Sequence, residues 1–379
     1  MCADFRTPDY PADGPHSREP RQAIPRFLSR APRLLAQGTV IGGAAFAGAA
    51  ILGAAAATAI FAGRRKTRSH QMRGKIVLIT GSSRGLGLAT AEEFARLGAR
   101  IVLTARDAEE LERARHLLLE RAALTTADVI AVPADLSRQE EAEYLVHRAL
   151  ETWGRIDVLV NNAGIITVGP IENQTVEDFR KVMDTNFFSA VHCTLAALPH
   201  MLKNRAGTVV NITSIGGKVA VPHLLPYSAS KFAAVGFSEG LHAELHGKGI
   251  HVLTVCPGLM RTGSHLNALF AGDAAAEYQW FSIGATTPGL AASARHAARR
   301  IVRGVLNRET ELFITPQAAL AGRLAQVTPG MTAAAMSLVN KILPAAGTER
   351  PRRGADVRQR EAASVRVFGA GPARRYNET

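Results

Sequence analysis

The hydrophobic pattern of the chain alternates between short apolar runs and longer amphipathic stretches. The first run, at 75–79, is apolar after its opening lysine, as strands buried on both faces of a parallel sheet are. Glycines follow at Gly81, Gly85 and Gly87, and an amphipathic stretch over 88–97 then predicts a helix. A glycine turn between a strand and a helix is the context that a phosphate-binding loop requires, because the phosphate then lies at the helix N-terminus.

The same alternation continues to residue 315. Strands are predicted at 100–104, 129–133, 156–160, 207–213, 250–255 and 311–315, with helices at 107–121, 140–153, 176–203 and 232–245. Strands that alternate with helices in this way predict the α/β class and a Rossmann-type doubly wound parallel sheet, with a ligand across the carboxyl ends of the strands. We therefore expect one folded domain over 74–315.

An uncharged segment precedes this domain. Residues 34–63 carry no charged side chain, and their centre at 40–62 is 23 residues long. At 1.5 Å per residue this length spans a hydrocarbon core of about 30 Å, so we predict a single-pass transmembrane helix. Two alternatives stay open, an Ala-rich helix packed in the body or at an interface and a cleaved signal peptide. The leader at 1–33 disfavours the signal peptide.

Basic charge is concentrated outside the predicted domain. The stretches 1–33, 64–75 and 344–379 together carry +12 of the net charge of +13. This distribution argues against nucleic acid as a partner, because the domain itself has no basic excess that could form a groove. The linker at 64–73 predicts, by the positive-inside rule, that the domain faces the cytoplasm. A linker that is merely solvated is the alternative.

The rest of the composition indicates the redox state of the compartment and the nature of the regions that flank the domain. Three cysteines without metal-ligand spacing indicate a reduced compartment and predict no metal site. Residues 1–33 and 344–379, rich in Pro and Arg, are predicted to be disordered. Between the domain and the C-terminal tail, the apolar extension 316–343 could cap a pocket, lie on a membrane or pack on a partner subunit.

Candidate chemistry centres on Tyr227 and Lys231. If the region is helical, a spacing of four places both side chains on one face. A free tyrosine ionises near pH 10, and a neighbouring ammonium lowers that pKa toward the range of a general acid or base. Ser214 would supply a hydroxyl beside them to hold a carbonyl or alcohol oxygen. Taken alone, the pair could equally be a partly exposed surface pair, and the nucleotide-binding context favours the site.

Taken together, these motifs resemble those of the short-chain dehydrogenase/reductase family over about 73–262, and more loosely to about 343. The resemblance implies that Tyr227 is the general acid/base, that Ser214 orients the substrate oxygen, and that Asn186 holds a water in the proton relay. It also implies that Lys231 binds the nicotinamide ribose and lowers the pKa of the tyrosine. The matching motifs are Thr80-Gly81-x-x-x-Gly85-x-Gly87, Asp135, Asn161-Asn162-Ala163-Gly164, Asn186, Ser214, Tyr227-x-x-x-Lys231, and Pro257-Gly258 with Thr262.

The family resemblance also implies a nicotinamide cofactor. In that case Asp135 would contact the adenine, and the 162–164 turn would form the floor of the cofactor site. An acidic residue at the end of the second strand would favour NAD(H), but Arg106 lies in that corner. Arg106 and Arg84 could instead bind a 2′-phosphate, so NADP(H) is preferred and NAD(H) is possible. If Arg84 faces solvent and Asp107 neutralises Arg106, the protein discriminates only weakly between NADP(H) and NAD(H). The expected cofactor-binding residues are Gly81, Ser83, Arg84, Gly85, Leu86, Gly87, Arg106, Asp135, Leu136, Asn162, Ala163, Gly164, Tyr227, Lys231, Pro257, Gly258 and Thr262.

The expected function is that of a membrane-anchored alcohol dehydrogenase or carbonyl reductase acting on a small lipophilic substrate, which would contact Ser214 and Tyr227. The rival is a non-catalytic nucleotide-binding scaffold or redox-sensing protein at the membrane. Family resemblance also implies a homodimer or homotetramer. The segment after Pro257-Gly258 suggests a lid over an apolar substrate, although its large side chains could simply pack against one another; they are Leu266, Leu269, Phe270, Tyr278, Trp280 and Phe281.

Overall fold

The computed structural model describes residues 72–122, 124–357, 365 and 371–377, and every element named below lies there. Its strands are β1 (Ile76–Thr80), β2 (Arg100–Thr104), β3 (Val129–Ala131), β4 (Val158–Asn161), β5 (Thr167–Val168), β6 (Gly207–Ile212), β7 (Ile250–Cys256), β8 (Met260–Arg261), β9 (Leu269–Gly272), β10 (Ala292–Ser293), β11 (Glu311–Phe313) and β12 (Glu349–Arg353). Its helices are α1 (Gly85–Ala95), α2 (Ala108–Ala122), α3 (Gln139–Trp153), α4 (Val176–Met183), α5 (Ser189–Asn204), α6 (Leu225–Leu245), α7 (Ser264–Asn267), α8 (Ala274–Thr286), α9 (Ala294–Asn307), α10 (Pro316–Val327), α11 (Pro329–Asn340) and α12 (Gly354–Val357).

Within this part of the chain, seven strands form the central sheet in the order β11-β7-β6-β4-β1-β2-β3, and every pairing is parallel. Successive side chains of a strand point to opposite faces. Val77 and Ile79 of β1 pack on the face covered by α1, α2 and α9. Ile76 and Leu78 pack on the other face, against α3 and α5. Helices on both faces explain why the strands are largely apolar on both sides, and they confirm the predicted doubly wound sheet.

The strand order reverses at β1, which lies between β2 and β4. Gly81 directly follows the carboxyl end of β1, and Asn162 follows that of β4. Ligands of open parallel sheets bind in the crevice at such a reversal, because the two loops diverge there to opposite faces. The predicted glycine loop and the predicted 162–164 turn therefore meet at one edge of the sheet.

The helix predicted over 176–203 is interrupted. A π-helical turn, Asp184–Phe188, separates α4 from α5, and Asn186 lies at its centre. Such a turn inserts one residue into the helical repeat and redirects the side chains beside it, and π-turns are frequent at functional sites. The apolar periodicity continues on both sides, so no feature of the sequence indicates this interruption.

The helix that carries Tyr227 begins earlier than predicted. Its apolar run suggested a start at Phe232, whereas α6 begins at Leu225 with Pro226 in its first turn. Proline is tolerated there because the first N–H groups of a helix have no partner within the helix. As a result Tyr227 and Lys231 both lie inside α6, one turn apart, as the spacing required.

The C-terminal stretch 344–379 differs from the predicted disordered tail. Among its described residues, those of β12 pair antiparallel with β9, and the N–H of Gly354 donates to the carbonyl of Ala268 at 2.9 Å. Val357 and Tyr376 are buried. These few apolar residues are scattered among arginines, so the local hydrophobicity stays low although each of them packs against the domain.

The large side chains after Pro257-Gly258 pack mainly against one another. Phe270, Tyr278 and Phe281 are buried in one cluster, and the ring of Trp280 packs on it. Ring centroids of Phe270 and Tyr278 lie 5.4 Å apart in an edge arrangement. The packing role that the sequence left open for these residues is therefore the observed one.

The predicted membrane span at 40–62 and the leader at 1–33 lie outside the described residues, and the anchor stays a prediction. In 72–122, 124–357 and 371–377, no helix combines the length and the apolar character needed to cross a bilayer. The extension 316–343 forms α10 and α11. Both helices expose apolar side chains, namely Leu320, Leu324, Val327, Met331 and Leu338.

Candidate active site

The glycine loop between β1 and α1 has almost no space for side chains. Gly81 has φ +60°, and a Cβ placed on it would lie 2.8 Å from the Cα of Ala163. A Cβ on Gly87 would lie 2.2 Å from the carbonyl oxygen of Gly81. Glycine is therefore required at both positions by contact and, at Gly81, also by the left-handed backbone. The loop leads directly into the N-terminus of α1, where backbone N–H groups favour an anionic ligand.

The turn after β4 is hydrogen-bonded to this loop. The hydroxyl of Thr80 accepts the backbone N–H groups of Asn162 and Ala163, each at 2.9 Å. The side-chain amide of Asn162 donates to the carbonyls of Thr80 and Gly81, again at 2.9 Å each. These four bonds hold the two loops of the sheet crevice against each other. The predicted cofactor residues of both loops thus lie together, in a cradle that fits the pyrophosphate of a dinucleotide.

The outer side of the glycine loop carries a charge pattern that the sequence did not predict. Arg84 donates from Nη1 to the carboxylate of Glu110 at 2.6 Å, and the hydroxyl of Ser83 donates to the same carboxylate. The carboxylate of Asp107, the residue after Arg106, accepts the N–H of Glu110 at 2.9 Å and so caps α2. Arg106 is exposed. Glu110 lies one turn after Arg106, and this spacing was the only sequence signal for it.

Asp135 and Leu136 lie at the end of β3, on the same edge of the sheet. The carboxylate of Asp135 accepts the hydroxyl of Ser137 at 2.8 Å, and its backbone N–H donates to Glu141 at 2.6 Å. Leu136 is buried, and its carbonyl lies 3.1 Å from Nδ1 of His192. The backbone after β3 is thereby fixed, with the half-buried Asp135 beside the crevice.

Tyr227 and Ser214 meet at the carboxyl end of β6. Their hydroxyl groups are hydrogen-bonded to each other. The Ser214 oxygen also accepts the N–H of Gly216 at 2.9 Å, which fixes its position at the start of the short 3₁₀ turn Ile215–Gly217. The two hydroxyl oxygens therefore lie side by side where a substrate oxygen would bind. A backbone N–H fixes the serine, and α6 fixes the tyrosine.

Lys231 extends from the next turn of α6 into the same volume. Its Nζ donates to the carbonyl of Ile212 at 3.0 Å and lies 5.8 Å from the centroid of the Tyr227 ring. The ammonium is buried, and a Cβ built on Gly164 would lie 3.7 Å from it. Lys231 thus connects the tyrosine to the turn after β4.

Asn186 is held by the same group of elements. Its Oδ1 accepts the N–H of Ile165 at 2.7 Å, and its Nδ2 donates to the carbonyl of Ile165 and to the hydroxyl of Ser230, each at 3.0 Å. Ser230 in turn donates to the carbonyl of Tyr227 at 2.7 Å. The sequence did not identify Ser230, although its position between Tyr227 and Lys231 could have indicated it. The π-turn brings Asn186 into this contact.

The Pro257-Gly258 segment closes the remaining side. The carbonyl of Pro257 accepts the N–H of Ile215 at 2.7 Å, which ties the end of β7 to the residue after Ser214. Thr262 is buried, and its hydroxyl accepts the N–H of Ser264 at 3.2 Å. Pro257 therefore lies beside the turn that follows Ser214, at the carboxyl end of the sheet.

A buried polar chain runs beneath the site and was missed by the sequence reasoning. The side-chain amide of Asn161 donates to Thr194 at 2.9 Å and to Asn211 at 2.8 Å, and that of Asn211 donates to Ser238 at 2.9 Å. Ser238 bonds to Thr254 at 2.7 Å. A buried network of this kind fixes one register between the strands and helices that it joins, although the Oδ1 atom of Asn161 has no partner among the described residues. Polar residues inside otherwise apolar strands were its only signal.

The pKa values at the site differ from the sequence argument. Burial raises the pKa of Tyr227 above its usual value, and the hydrogen bond from Ser214 offsets only part of that rise. Burial also lowers the pKa of Lys231 to about 8. In the ligand-free protein the pKa of Tyr227 thus lies above its usual value, opposite to the direction predicted from the neighbouring ammonium. The cause is the desolvation of the phenolate by burial.

A cavity of about 610 Å³ opens beside the residues that precede Tyr227. Its apolar lining includes Val221, Leu225 and, from α11, Met336. His223 also lines it, and its Nδ1 lies 2.7 Å from the carboxylate of the fully buried Glu277. The C-terminal extension thus contributes one wall of this cavity through α11.

These features define a nucleotide-binding protein of the Rossmann class, with a tyrosine, a lysine and a serine at the ligand edge. The chain belongs to the short-chain dehydrogenase/reductase family, since residues 75–269 match the family described as short chain dehydrogenase. It is therefore an oxidoreductase of a family that binds a nicotinamide cofactor.

Similar proteins are known from animals, plants and bacteria. A "Dehydrogenase/reductase SDR family protein 7-like" of Anopheles gambiae is 37% identical over 67% of this chain and 78% of its own. An "11-beta-hydroxysteroid dehydrogenase 1A" of Arabidopsis thaliana is 34% identical over 64% of this chain and 68% of its own. The crystal structure of a short chain dehydrogenase/reductase from Burkholderia phymatum in complex with NAD is 27% identical, with a TM-score of 0.63, over 69% of this chain and 95% of that one.

The buried Lys231 makes stability depend on pH in a way that can be measured. Its pKa is about 8 in the folded protein against 10.5 ordinarily, so between these values the unfolded state binds more protons and stability rises with pH. We expect this contribution to grow by about 2 kcal/mol from pH 8 to pH 10. Tyr227 and Cys256, whose pKa values are raised, act in the opposite direction at higher pH.

Urea unfolding of the wild type and of Lys231→Met at pH 8 and pH 10 isolates the lysine, because the opposing groups are common to both proteins. The wild type should gain about 2 kcal/mol relative to the variant over this interval. Equal pH dependence in the two proteins would show that Lys231 keeps an ordinary pKa when folded.

Proposed function

We propose that this protein is an NADP(H)-dependent oxidoreductase that interconverts a secondary alcohol and a carbonyl compound, as an alcohol dehydrogenase or carbonyl reductase does. The observation that carries the proposal is the hydrogen-bonded pair of Tyr227 and Ser214, with the Nζ of Lys231 at 5.8 Å from the tyrosine ring. This group lies beside the glycine loop at the strand reversal, where a dinucleotide fits.

In the reduction direction, Tyr227 donates its phenolic proton to the substrate oxygen while Ser214 donates a hydrogen bond to that oxygen. In oxidation Tyr227 takes the proton back, which requires the phenolate to be accessible near neutral pH. When bound, the nicotinamide supplies or accepts the hydride. Lys231 holds the nicotinamide ribose, and its charge stabilises the phenolate. Asn186 fixes the loop at Ile165 and orients a water behind the tyrosine.

The preference for NADP(H) rests on Arg84 and Arg106 near the adenosine ribose, and Glu110 is the opposing group. Paired guanidinium groups bind a 2′-phosphate, whereas a carboxylate repels it and accepts a 2′-hydroxyl. Since Glu110 already forms an ion pair with Arg84, we propose that Arg106 contributes most of the discrimination. The Burkholderia phymatum protein, by comparison, was crystallised in complex with NAD, the unphosphorylated form.

Parallel fluorescence titrations with NADPH and NADH test this proposal. The wild type should bind NADPH more tightly, and Arg106→Ala should lose about tenfold in NADPH affinity, the size of one charge-assisted hydrogen bond. Glu110→Gln should shift the preference further toward NADPH. Arg113→Ala, an exposed arginine on the same helix, is the matched control and should change neither affinity. Equal or tighter binding of NADH by the wild type would reject the preference for NADP(H). If the wild type bound neither nucleotide, the proposed enzymatic function itself would be rejected.

For the substrate, we propose a small lipophilic ketone or its alcohol. The aliphatic side chains of Val221, Leu225 and Met336 in the cavity before Tyr227 support an apolar part of the substrate. Polar residues of the same lining offer hydrogen bonds to its oxygen-bearing part, namely Glu172, His223, Ser337 and Asn340. A relative named as a steroid dehydrogenase supports the same class. Consumption of NADPH with lipophilic ketones, compared with short polar ones, would distinguish the two classes.

A further inference from the structure

The described residues 371–377 lie against the glycine loop. The N–H of Gly85, the first residue of α1, donates to the carbonyl of Tyr376 at 2.8 Å. The side-chain amide of Asn377 donates to the carbonyls of Ser83 at 3.0 Å and of Glu110 at 3.1 Å. Three hydrogen bonds thus join this segment to the glycine loop and to α2, the helix that carries Glu110. The segment lies more than 250 positions after both of them in the sequence.

Tyr376 anchors this segment. Its side chain is 4% exposed and packs in a cluster with Ala89 of α1 and with Ala294 and Ala298 of α9. Small residues on both helices provide the space for the ring. Next to it, the carbonyl of Arg375 accepts a bond from Arg121 at 2.7 Å. The segment is therefore fixed by burial as well as by hydrogen bonds.

The direction of approach indicates what the contact does. Tyr376 lies on the side of α1 and α9, which cover one face of the sheet. The cradle of the glycine loop is built by other contacts, those of Gly81 with Asn162 and Ala163. The segment thus holds the start of α1 through Gly85 and leaves the contacts between Gly81 and the turn after β4 intact. A loop fixed before binding costs less conformational entropy when the ligand binds, so the same contacts give a higher affinity.

We propose that the C-terminal segment 371–377 belongs to the nucleotide site, and that Tyr376 and Asn377 are positioning residues for the glycine loop. This inference rests on the proposed function in that the loop holds a nicotinamide nucleotide. The segment touches the backbone of the loop and leaves the side chains that would recognise the 2′-position unchanged. It therefore raises affinity for NADPH and NADH alike.

The test compares the full chain with a truncation that ends at residue 370 and with two point variants, Asn377→Ala and Tyr376→Ala. Truncation should weaken the binding of both nucleotides by about tenfold, as expected for the loss of two to three hydrogen bonds of modest net strength. Asn377→Ala and Tyr376→Ala should weaken binding in the same direction. Tyr376→Phe keeps the ring and the backbone bond, and should bind as the wild type does.

Hydrogen–deuterium exchange of the loop, without nucleotide, separates this proposal from the proposed function. Exchange over 81–88 should be faster in the truncated chain and in Asn377→Ala than in the full chain, whether or not any nucleotide binds. Unchanged exchange and affinity in Asn377→Ala and Tyr376→Ala would overturn the proposal, and these variants decide the question even if the truncated chain does not fold. Tighter binding after truncation would also overturn it, because the segment would then compete with phosphate for the N–H of Gly85.

Discussion

Replacement of Tyr227 by phenylalanine is expected to lower kcat/KM by about 10³-fold, the range that a positioned general acid or base contributes. The ring and its packing remain, and only the hydroxyl that bonds to Ser214 is lost. NADPH binding should change little, because the glycine loop and the 162–164 turn are held by contacts that do not involve the phenol. Steady-state rates with a lipophilic ketone, together with an NADPH titration, measure both effects.

Tyr144→Phe is the matched control. Tyr144 lies on α3 with 54% of its surface exposed, so the same chemical change there should leave the rate and the affinity unaltered. If Tyr227→Phe retained the turnover of the wild type, the proposed acid/base role would be wrong. If the wild type had no turnover and Tyr227→Phe kept the biological activity, the scaffold or redox-sensing alternative would become the better explanation.

The loops of the nucleotide crevice were predictable because their determinants are local. A continuous apolar run, glycines at Gly81 and Gly87 and an amphipathic helix occupy one short stretch, and each of them constrains the backbone directly. The spacing of Tyr227 and Lys231 was similarly sufficient, since a helix fixes which side chains are neighbours. The sheet followed from the alternation of strands and helices, because only a doubly wound arrangement covers both faces of such strands.

The partners that these residues meet from elsewhere in the chain were not predictable. Glu110 binds Arg84 from the helix after the next strand, and Tyr376 reaches Gly85 from the far end of the chain. Neither contact leaves a periodic or compositional signal. The direction of the pKa shift of Tyr227 was wrongly predicted for a related reason. The sequence shows that Lys231 is a neighbouring charge, but it does not show the burial of the two side chains, and burial is the largest cause of both pKa shifts.

That reversal constrains the catalytic cycle. With its pKa raised by burial, Tyr227 is fully protonated near neutral pH in the ligand-free protein, which suits proton donation to a carbonyl. Oxidation of an alcohol requires the opposite state, the phenolate.

Gly87→Ala is expected to abolish tight cofactor binding, with a loss of about 100-fold in NADPH affinity, or about 2.7 kcal/mol. The new Cβ would lie 2.2 Å from the carbonyl oxygen of Gly81 and 2.6 Å from the amide nitrogen of Asn162. Both are parts of the cradle: the first is backbone, and the second is a side-chain nitrogen that two hydrogen bonds hold in place. The loop must open to admit the methyl group, which breaks the bonds from Asn162 and also destabilises the fold by about 1–3 kcal/mol.

Gly240→Ala separates this steric effect from the general effect of removing a glycine. Gly240 is exposed within α6, and no atom lies within 4 Å of a Cβ built there. The alanine should therefore stabilise the protein by about 1 kcal/mol through helix propensity and leave NADPH affinity unchanged. Urea unfolding measures the stability of both variants, and nucleotide titration measures their NADPH affinity. Wild-type affinity in Gly87→Ala would mean that the cofactor does not use this cradle, because the close contact between Gly87 and Gly81 cannot survive the substitution.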